Sequence, residues 1–349
     1  MTADLERLRT DDDAWDAFVG GSATDFPLQM SAWARAKAPY GWTSTRVVAD
    51  GGSGPIGGQV LMRSLGPGPF AMGYAPRGPI ATVFDVASLQ AWTEALREVA
   101  RSRRLTHVTA DPGLEGTDHH RLFDAAGWIP SDVLQLASTQ IIDLSATEEA
   151  LWHDVYKSSR RYANGARKKG CYVQEGGEGE LPVFYDILVE TAGRSGFIPR
   201  AIEAYADVYR AFAKDGHARI LIGYLPDGTP VSSKMILTSG GRASQLYGGL
   251  TDEGGKARAG HFFEWEAITR SKAAGATVFD MWGRSTKGIA HFKQGFGGRV
   301  VEYGGTFDLV VNAPVRGLYQ RGRRVWVRLA RRRSGLDPDT PVAATPTGD

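Results

Sequence analysis

Apolar residues fall on one helical face between Val86 and Arg103, at Leu89, Trp92, Leu96 and Val99, and this spacing predicts an amphipathic helix. Thr106 to Ala110 follows as a strand that stops at Asp111-Pro112. Upstream, Glu6 to Val19 and Leu28 to Lys37 read as helices, the second with Trp33 and Ala36 on one side. Val47-Val48 and Ile56 to Arg63 read as hairpin strands, because Asp50-Gly51-Gly52-Ser53-Gly54 between them is turn chemistry. Phe70 to Tyr74 is a further strand.

After a strand at Gln140 to Leu144 the order starts again. Thr147 to Lys168 predicts a helix, Tyr172 to Glu175 a strand, and Leu181 to Thr191 and Ala201 to Lys214 two more helices. Ala218 to Leu225 and Val231 to Thr238 form a second hairpin; Arg242 to Tyr247, Val278 to Trp282 and Phe307 to Val311 are strands, and His261 to Ala274 is a helix. Both halves thus read as helices, a hairpin, a strand, a helix and a strand, which two copies of one small mixed unit would explain. The element order resembles that of the acetyltransferase-like fold. The predicted class is α/β with mixed sheets, in tandem GNAT-like domains. The first spans 1–144 and is completed by a helix at about 313–334, the second spans 145–312, and 335–349 is a tail expected to be disordered.

Composition narrows the function. At 349 residues, 42% hydrophobic and 23% charged, the chain suits two globular domains. No apolar run approaches the roughly 20 residues of a membrane span, and an amino end with Asp4, Glu6, Asp11, Asp12 and Asp13 is unlike a secretory signal, so a cytoplasmic protein is expected. One cysteine and seven scattered histidines support neither a disulfide framework nor a metal site. Net charge is only +2, yet Lys157, Arg160, Arg161, Arg167, Lys168 and Lys169 cluster, as do eight arginines from Arg316 to Arg333. Such clusters attract nucleic acid, a diphosphate or an anionic membrane; solvated helix faces are the plain alternative. In the second cluster Leu318, Val325, Trp326 and Leu329 are interleaved, as in a helix that closes the first domain or lies on an anionic membrane.

Candidate chemistry concentrates in His291-Phe292-Lys293-Gln294-Gly295-Phe296-Gly297-Gly298, followed by Glu302-Tyr303-Gly304-Gly305. A lysine between an aromatic ring and a glycine-rich loop suits a phosphate or a developing negative charge, with backbone amides approaching the same anion; a surface lysine beside a turn is the alternative. The stretch Gly254-Gly255-Lys256-Ala257-Arg258-Ala259-Gly260 is glycine-rich and basic, but lacks the Gln/Arg-x-x-Gly-x-Gly/Ala loop that cradles a pyrophosphate in coenzyme A-dependent members of the fold. No cofactor is expected.

Five stretches together resemble the Fem family (FemA/FemB/FemX) of peptidoglycan-bridge peptidyltransferases. They are Gln29-Met30-Ser31-Ala32-Trp33 with Lys37 and Gly41-Trp42; Tyr74-Ala75-Pro76-Arg77-Gly78-Pro79; Arg194-Ser195-Gly196-Phe197 with Arg200 and Tyr205; Trp265-Glu266-Ala267-Ile268 leading to Phe279-Asp280-Met281-Trp282-Gly283; and the Phe292-Lys293 to Gly304 block. The resemblance runs from about Leu28 to Val311. It implies an aminoacyl-tRNA donor and a muramyl pentapeptide acceptor carried on a nucleotide (UDP) or a lipid diphosphate. It also implies catalytic roles for Lys293 and Phe292, the lysine at phosphate or oxyanion and the ring against the terminal adenine. Acceptor contacts then fall to Lys37, Tyr74, Arg77, Arg200, Tyr205 and Tyr247, and tRNA phosphates to Arg160, Arg161, Lys168 and Lys169.

No pair of long helical patterns is available for the helical-hairpin arm of some members, so the chain is similar to the armless subtype. Where members commonly carry an aspartate, three residues after the Gly-Pro pair, this chain has Thr82, with Asp85 the nearest acid; a general base there does not carry over. Asp280 reads as structural. The basic carboxyl-terminal segment offers peripheral contact with a membrane. Rival readings are an aminoacyltransferase of the same fold acting on a small metabolite or peptide natural product, an acetyl-coenzyme A-dependent N-acetyltransferase, and a non-catalytic RNA-binding module.

Overall fold

A computed structural model describes residues 2–195, 197–284 and 286–333; the expected tail at 335–349 lies outside them. In chain order the first elements are α1 (Thr2–Thr10), α2 (Asp12–Gly20), α3 (Ser31–Lys37), β1 (Thr43–Asp50), β2 (Pro55–Ser64), β3 (Ala71–Arg77), β4 (Ile80–Ala81), α4 (Val86–Ser102), β5 (Leu105–Pro112), α5 (His120–Ala125) and β6 (Ile129–Pro130). Next come β7 (Ser138–Asp143), α6 (Glu148–Asp154), α7 (Lys157–Lys168), β8 (Tyr172–Gly176), α8 (Leu181–Ser195), α9 (Ile202–Ala213), β9 (Ala218–Tyr224), β10 (Pro230–Ser239), β11 (Arg242–Leu250), α10 (Asp252–Lys256) and α11 (Gly260–Ala273). The chain closes with β12 (Val278–Gly283), α12 (Lys287–Gln294), β13 (Arg299–Glu302), β14 (Phe307–Val310) and α13 (Ala313–Arg333). Two compact units result, 1–137 with 302–349, and 138–301.

Local chemistry explains where the helices differ from expectation. The single helix predicted over 6–19 is two, because the Asp11 carboxylate accepts the Ala14 amide and starts α2 afresh. The predicted helix over 147–168 is also two. Val155 and Tyr156 take extended backbone, and the Arg160 guanidinium donates to the Trp152 and His153 carbonyls at 3.0 and 2.8 Å, satisfying the carboxyl end of α6.

The first unit holds a mixed sheet ordered β1-β2-β3-β5-β14-β6, with β4 beside β2. Its central parallel pair runs from Ala71 opposite Leu105 to Arg77 opposite Pro112, with one register shift between Ala71 and Gly73 and an unbroken register from there on. The core beneath it is aromatic: Trp92 stacks on Trp128 at 5.6 Å and Phe123 on Phe307 at 4.4 Å. Both indoles find acceptors, the Val47 carbonyl and the Thr93 hydroxyl.

The second unit holds a sheet ordered β13-β7-β12-β11-β10-β9-β8. Here the parallel pair behaves differently. β11 and β12 pair at Arg242 opposite Val278, Ala243 opposite Phe279 and Ser244 opposite Asp280, and among the described residues the pairing stops there. Each strand goes on, β11 against β10 and β12 toward β7, so the sheet splits along its middle. Apolar clusters around Phe279 with Trp265, and around Phe262 with Val231, hold it together.

Candidate functional site

The split in the second sheet is where Lys293 lies. The segment that carries it, to which the sequence pattern assigned no element, is the helix α12, started by the Thr286 hydroxyl accepting the Ile289 amide at 3.2 Å. Phe292 packs its ring against His261 at 4.9 Å and Phe296 at 5.3 Å, half-buried against the core. The next residue points at β12. Lys293 Nζ donates to the carbonyls of Met281, Trp282 and Gly283 at 2.5, 3.0 and 2.7 Å, so all three ammonium protons have acceptors on the strand end that β11 has left. Burial pushes this lysine down to about 8, and Glu264 and Asp280 oppose that fall while Lys234 and Arg284 add to it.

The backbone at that strand end is strained. Trp282 sits at φ +60, in the left-handed region that a bulky side chain rarely enters. Asp280 Oδ1 fixes its amide at 2.8 Å. Asp280 is itself fully buried, paired with Arg242 at 3.1 Å and accepting the Thr139 hydroxyl, which makes it a structural hub of the split.

Close by in this charged cluster, Lys234 on β10 forms a buried ion pair with Glu264 on α11, and Gln245 Nε2 reaches Glu264 at 3.5 Å. Glu264 Oε1 accepts no hydrogen bond among the described residues. Sequence reasoning missed this group. The available signal was a lysine inside the apolar strand pattern Val231 to Leu237 and a glutamate inside the aromatic run Phe262 to Trp265.

The glycines of the motif serve the chain rather than an anion. Gly297 and Gly298 have φ of +75 and +69; a side chain on Gly298 would fall on the Ile141 carbonyl, and one on Gly297 on the Asp154 backbone. They let the chain turn from α12 into β13 directly against β7. Gly254 to Gly260 likewise forms α10 and the turn into α11, with the Gly254 amide already taken by the Thr251 hydroxyl.

The expected acceptor residues divide between the units. In the second, Tyr205 Oη accepts the Arg200 amide at 3.2 Å, and its ring meets Tyr247 edge-on at 5.0 Å. Tyr185, which the sequence did not single out, joins them by donating to the Arg200 carbonyl at 2.8 Å. Gly196 of the neighbouring stretch lies outside the described residues.

In the first unit, Tyr74 donates to Asp111 at 2.9 Å and accepts from Gln135 at 3.0 Å, so it is a core tyrosine with its hydroxyl occupied. Arg77 is buried at φ +57; its amide donates to Asp111 at 2.8 Å, Nη2 donates to the Leu136 carbonyl at 2.9 Å, and the guanidinium lies 4.1 Å from the Tyr303 ring. Burial raises Asp111 to about 6, against the pull of Arg77. Lys37 is buried too, 4.6 Å over Trp33. Asp85 is the amino-terminal cap of α4, in a capping box with Ser88.

Of the four expected phosphate contacts, Arg161 and Lys168 are exposed on α7 and Lys169 at its carboxyl-terminal cap, whereas Arg160 is spent on the α6 carbonyls. Arg258 donates to Tyr162 beside Arg161 and lengthens the basic face. Among the described residues no three His, Cys, Asp or Glu side chains gather as a metal site, and no helix is long and apolar enough to cross a membrane.

Comparison with known proteins bears on this arrangement. Residues 10–125 match the FemAB family and 154–294 the acetyltransferase (GNAT) domain. The lipid II:glycine glycyltransferase of Staphylococcus haemolyticus (strain JCSC1435) is 22% identical over 411 aligned positions, covering 94% of this chain and 97% of that protein. The protein of the same name from Staphylococcus aureus (strain MRSA252) is 22% identical over 413, again covering 94% and 97%. A solved structure described as FemX superposes with a TM-score of 0.78 at 20% identity, over 88% of this chain and 98% of that one.

Proposed function

Because the chain belongs to the Fem family, we propose that it is a tRNA-dependent aminoacyltransferase that extends the stem peptide of a peptidoglycan precursor toward an interpeptide bridge. The observation that carries this reading is the split between β11 and β12 with Lys293 tied across its edge. A sheet that opens at its middle admits an extended acyl donor between two strands. The charge stationed there suits an ester that is already activated.

In the proposed reaction the acceptor amine attacks the ester carbonyl of aminoacyl-tRNA. A C–N bond forms, the ester C–O bond breaks, and the proton lost by the amine ends on the released ribose hydroxyl, relayed by substrate or solvent. Negative charge on the tetrahedral oxygen is met by Lys293, which exchanges one backbone carbonyl for the oxyanion as it develops. That interaction exists only in the transition state, so it accelerates the step rather than tightening substrate binding. Phe292, packed on His261 and Phe296, is proposed to offer its remaining exposed ring surface to the donor's terminal adenine.

Lys37 and Arg77 in one unit, and Arg200, Tyr205 and Tyr247 in the other, are the residues proposed to contact the acceptor, while Tyr74, its hydroxyl occupied by Asp111 and Gln135, is left a supporting core role. Arg161, Lys168 and Lys169 are proposed to meet tRNA phosphates, with Arg160 bracing their helix. With α8, at 15 residues, the longest helix of the second unit among the described residues, the chain reads as the armless subtype working in the cytoplasm. The acceptor is a UDP-linked or lipid-linked muramyl pentapeptide; the relatives' names favour the lipid form. Incubating the protein with a pool of charged tRNAs and both acceptors, followed by mass spectrometry, tests the reading. A mass gain of one or more amino-acid residues on either precursor, dependent on charged tRNA, is expected. No gain with any donor would end the proposal.

A further inference from the structure

The second unit leaves a buried ion pair half satisfied beside its split. Lys234 on β10 and Glu264 on α11 are 7 and 2% exposed and pair through Glu264 Oε2. A lysine ammonium donates three hydrogen bonds, and among the described residues Lys234 has this one acceptor. Glu264 Oε1 is buried and meets no donor among them. Gln245, whose Nε2 reaches Glu264 Oε2 at 3.5 Å, likewise buries an Oε1 that meets no donor. Gln245 is half-buried and is the first residue of β11 past the last pair with β12, Ser244 opposite Asp280. It therefore brings the ion pair to the β11 edge of the split, while Lys293 is tied along the β12 edge. Beyond burial, which lowers it most, the Lys293 ammonium feels both members of the pair, Glu264 in its favour and Lys234 against it.

Polar groups this deeply buried are seldom left unmatched, and a buried ion pair holds its energy only where its spare protons and lone pairs find partners. The missing partner must accept from Lys234 and donate to Glu264. It must also be uncharged, because the pair is neutral as it stands and a further ion would add an uncompensated charge. A hydroxyl meets all three conditions, being donor and acceptor at once. We propose that Lys234 and Glu264, with Gln245 beside them, hold the 2′-hydroxyl of the donor's terminal ribose. The assignment rests on the proposed transfer, in which the ester carbonyl on that same ribose faces Lys293. The 2′-hydroxyl is next to the esterified oxygen, so a donor whose carbonyl meets one edge of the split carries this hydroxyl toward the other. It is also the group that marks RNA against DNA. The α-ammonium of the aminoacyl group would donate to Glu264 but could accept nothing from Lys234, and would bring the extra charge.

Aminoacyl-tRNA and its counterpart ending in 2′-deoxyadenosine, each esterified at the 3′-oxygen, test it in a double comparison. With the intact chain the deoxy donor should lose roughly tenfold or more in kcat/KM, as expected for hydrogen bonds to charged groups. Glu264→Gln should lose a similar factor on the ribose donor and scarcely more on the deoxy donor, because the hydroxyl it served is already gone. Lys234→Met/Glu264→Leu removes both buried charges together, should melt near the parent, and should show the same pattern. Uncharged tRNAs with the same two ends give the comparison without transfer: the intact chain should bind the ribose end tighter by roughly threefold or more, and neither variant should. Equal losses by the variants on both donors would leave the pair a structural role or a buried water and overturn the proposal. So would an intact chain that uses and binds both ends alike. A loss in Glu264→Gln that disappears only with a donor lacking its α-amino group would assign the pair to the ammonium and overturn it equally. No transfer from either donor, with the end preference present in the intact chain and absent in the variants, would end the transfer reading and uphold the ribose contact; no transfer and no preference would end both.

Discussion

Replacing Lys293 with methionine separates a structural lysine from one that acts on substrate. Burial takes the ammonium from its ordinary 10.5 to about 8, so the site as a whole disfavours the charge by about 3 kcal/mol, even with three carbonyl acceptors. Methionine is of similar length and carries no charge, and it lifts that penalty while leaving three carbonyls without their donor. Those carbonyls lie where β12 has parted from β11. At the low end of the cost of an orphaned polar group, about 1 kcal/mol each, the two effects nearly cancel. Chemical denaturation should therefore find the Lys293→Met protein within about 2 kcal/mol of the parent.

Transfer should fall by roughly a hundredfold or more, because an oxyanion donor contributes about 3 kcal/mol to the transition state. The parent's rate should also decline as pH rises through about 8, when the ammonium gives up its proton. Lys293→Arg should keep measurable activity and lose that decline. Stability has its own signature: between pH 8 and 10.5 the unfolded chain holds the proton that the folded chain has lost, so the parent gains stability as pH rises and Lys293→Met does not. A Lys293→Met enzyme that transfers at the parental rate, or an alkaline decline that survives in Lys293→Arg, would refute the assignment.

Asp111→Asn should remove a pH dependence of folding: the folded carboxyl at about 6 lies above its ordinary 3.8, so its contribution is full below about 4 and lost as pH passes 6, by roughly 3 kcal/mol at most. Urea titrations at pH 4 and 7 check this, and an unchanged difference between the two would count against the buried Tyr74–Asp111–Arg77 arrangement. Gly298→Ala should cost about 2–4 kcal/mol by forcing a side chain into the left-handed region against the Ile141 carbonyl. A melting temperature within a degree of the parent would show that the β7 contact is looser than described. Arg161→Gln/Lys168→Gln should lower the slope of donor affinity against salt by about two, one per phosphate contact, read from tRNA binding at several ionic strengths. An unchanged slope would move the tRNA elsewhere.

Much of the fold was legible before any coordinates. The helical stripe of Leu89, Trp92 and Leu96, the Asp50 to Gly54 turn, and the restart of the pattern after Gln140 led to tandem mixed-sheet units, which is the fold found. Helix breaks were less legible. Asp11 as a cap and Val155-Tyr156 as an extended joint cost single residues in otherwise continuous helical patterns, and only the hydrogen bonds that reward the break reveal it. The α12 helix was hidden by the glycines just after it. Of the candidate site, the sequence pointed to Lys293, Arg200, Tyr205 and Arg77 but was silent on Tyr185 and on the Lys234–Glu264 pair.

The sequence by itself determined the periodicities, the turns and the clustering of charge, because each of these is carried by neighbours along the chain. Whether a lysine is solvated or buried is not. Lys293 looked like a residue beside a flexible loop, and became a buried ammonium held by Met281, Trp282 and Gly283 only because β12 leaves β11 at Asp280 and presents unpaired carbonyls to α12. The acceptors lie only ten to twelve residues before Lys293, but their release from β11 and the burial of the ammonium beside Lys234 and Glu264 involve segments further off along the chain. Tertiary structure therefore decided the chemistry of a residue whose identity the sequence had already supplied.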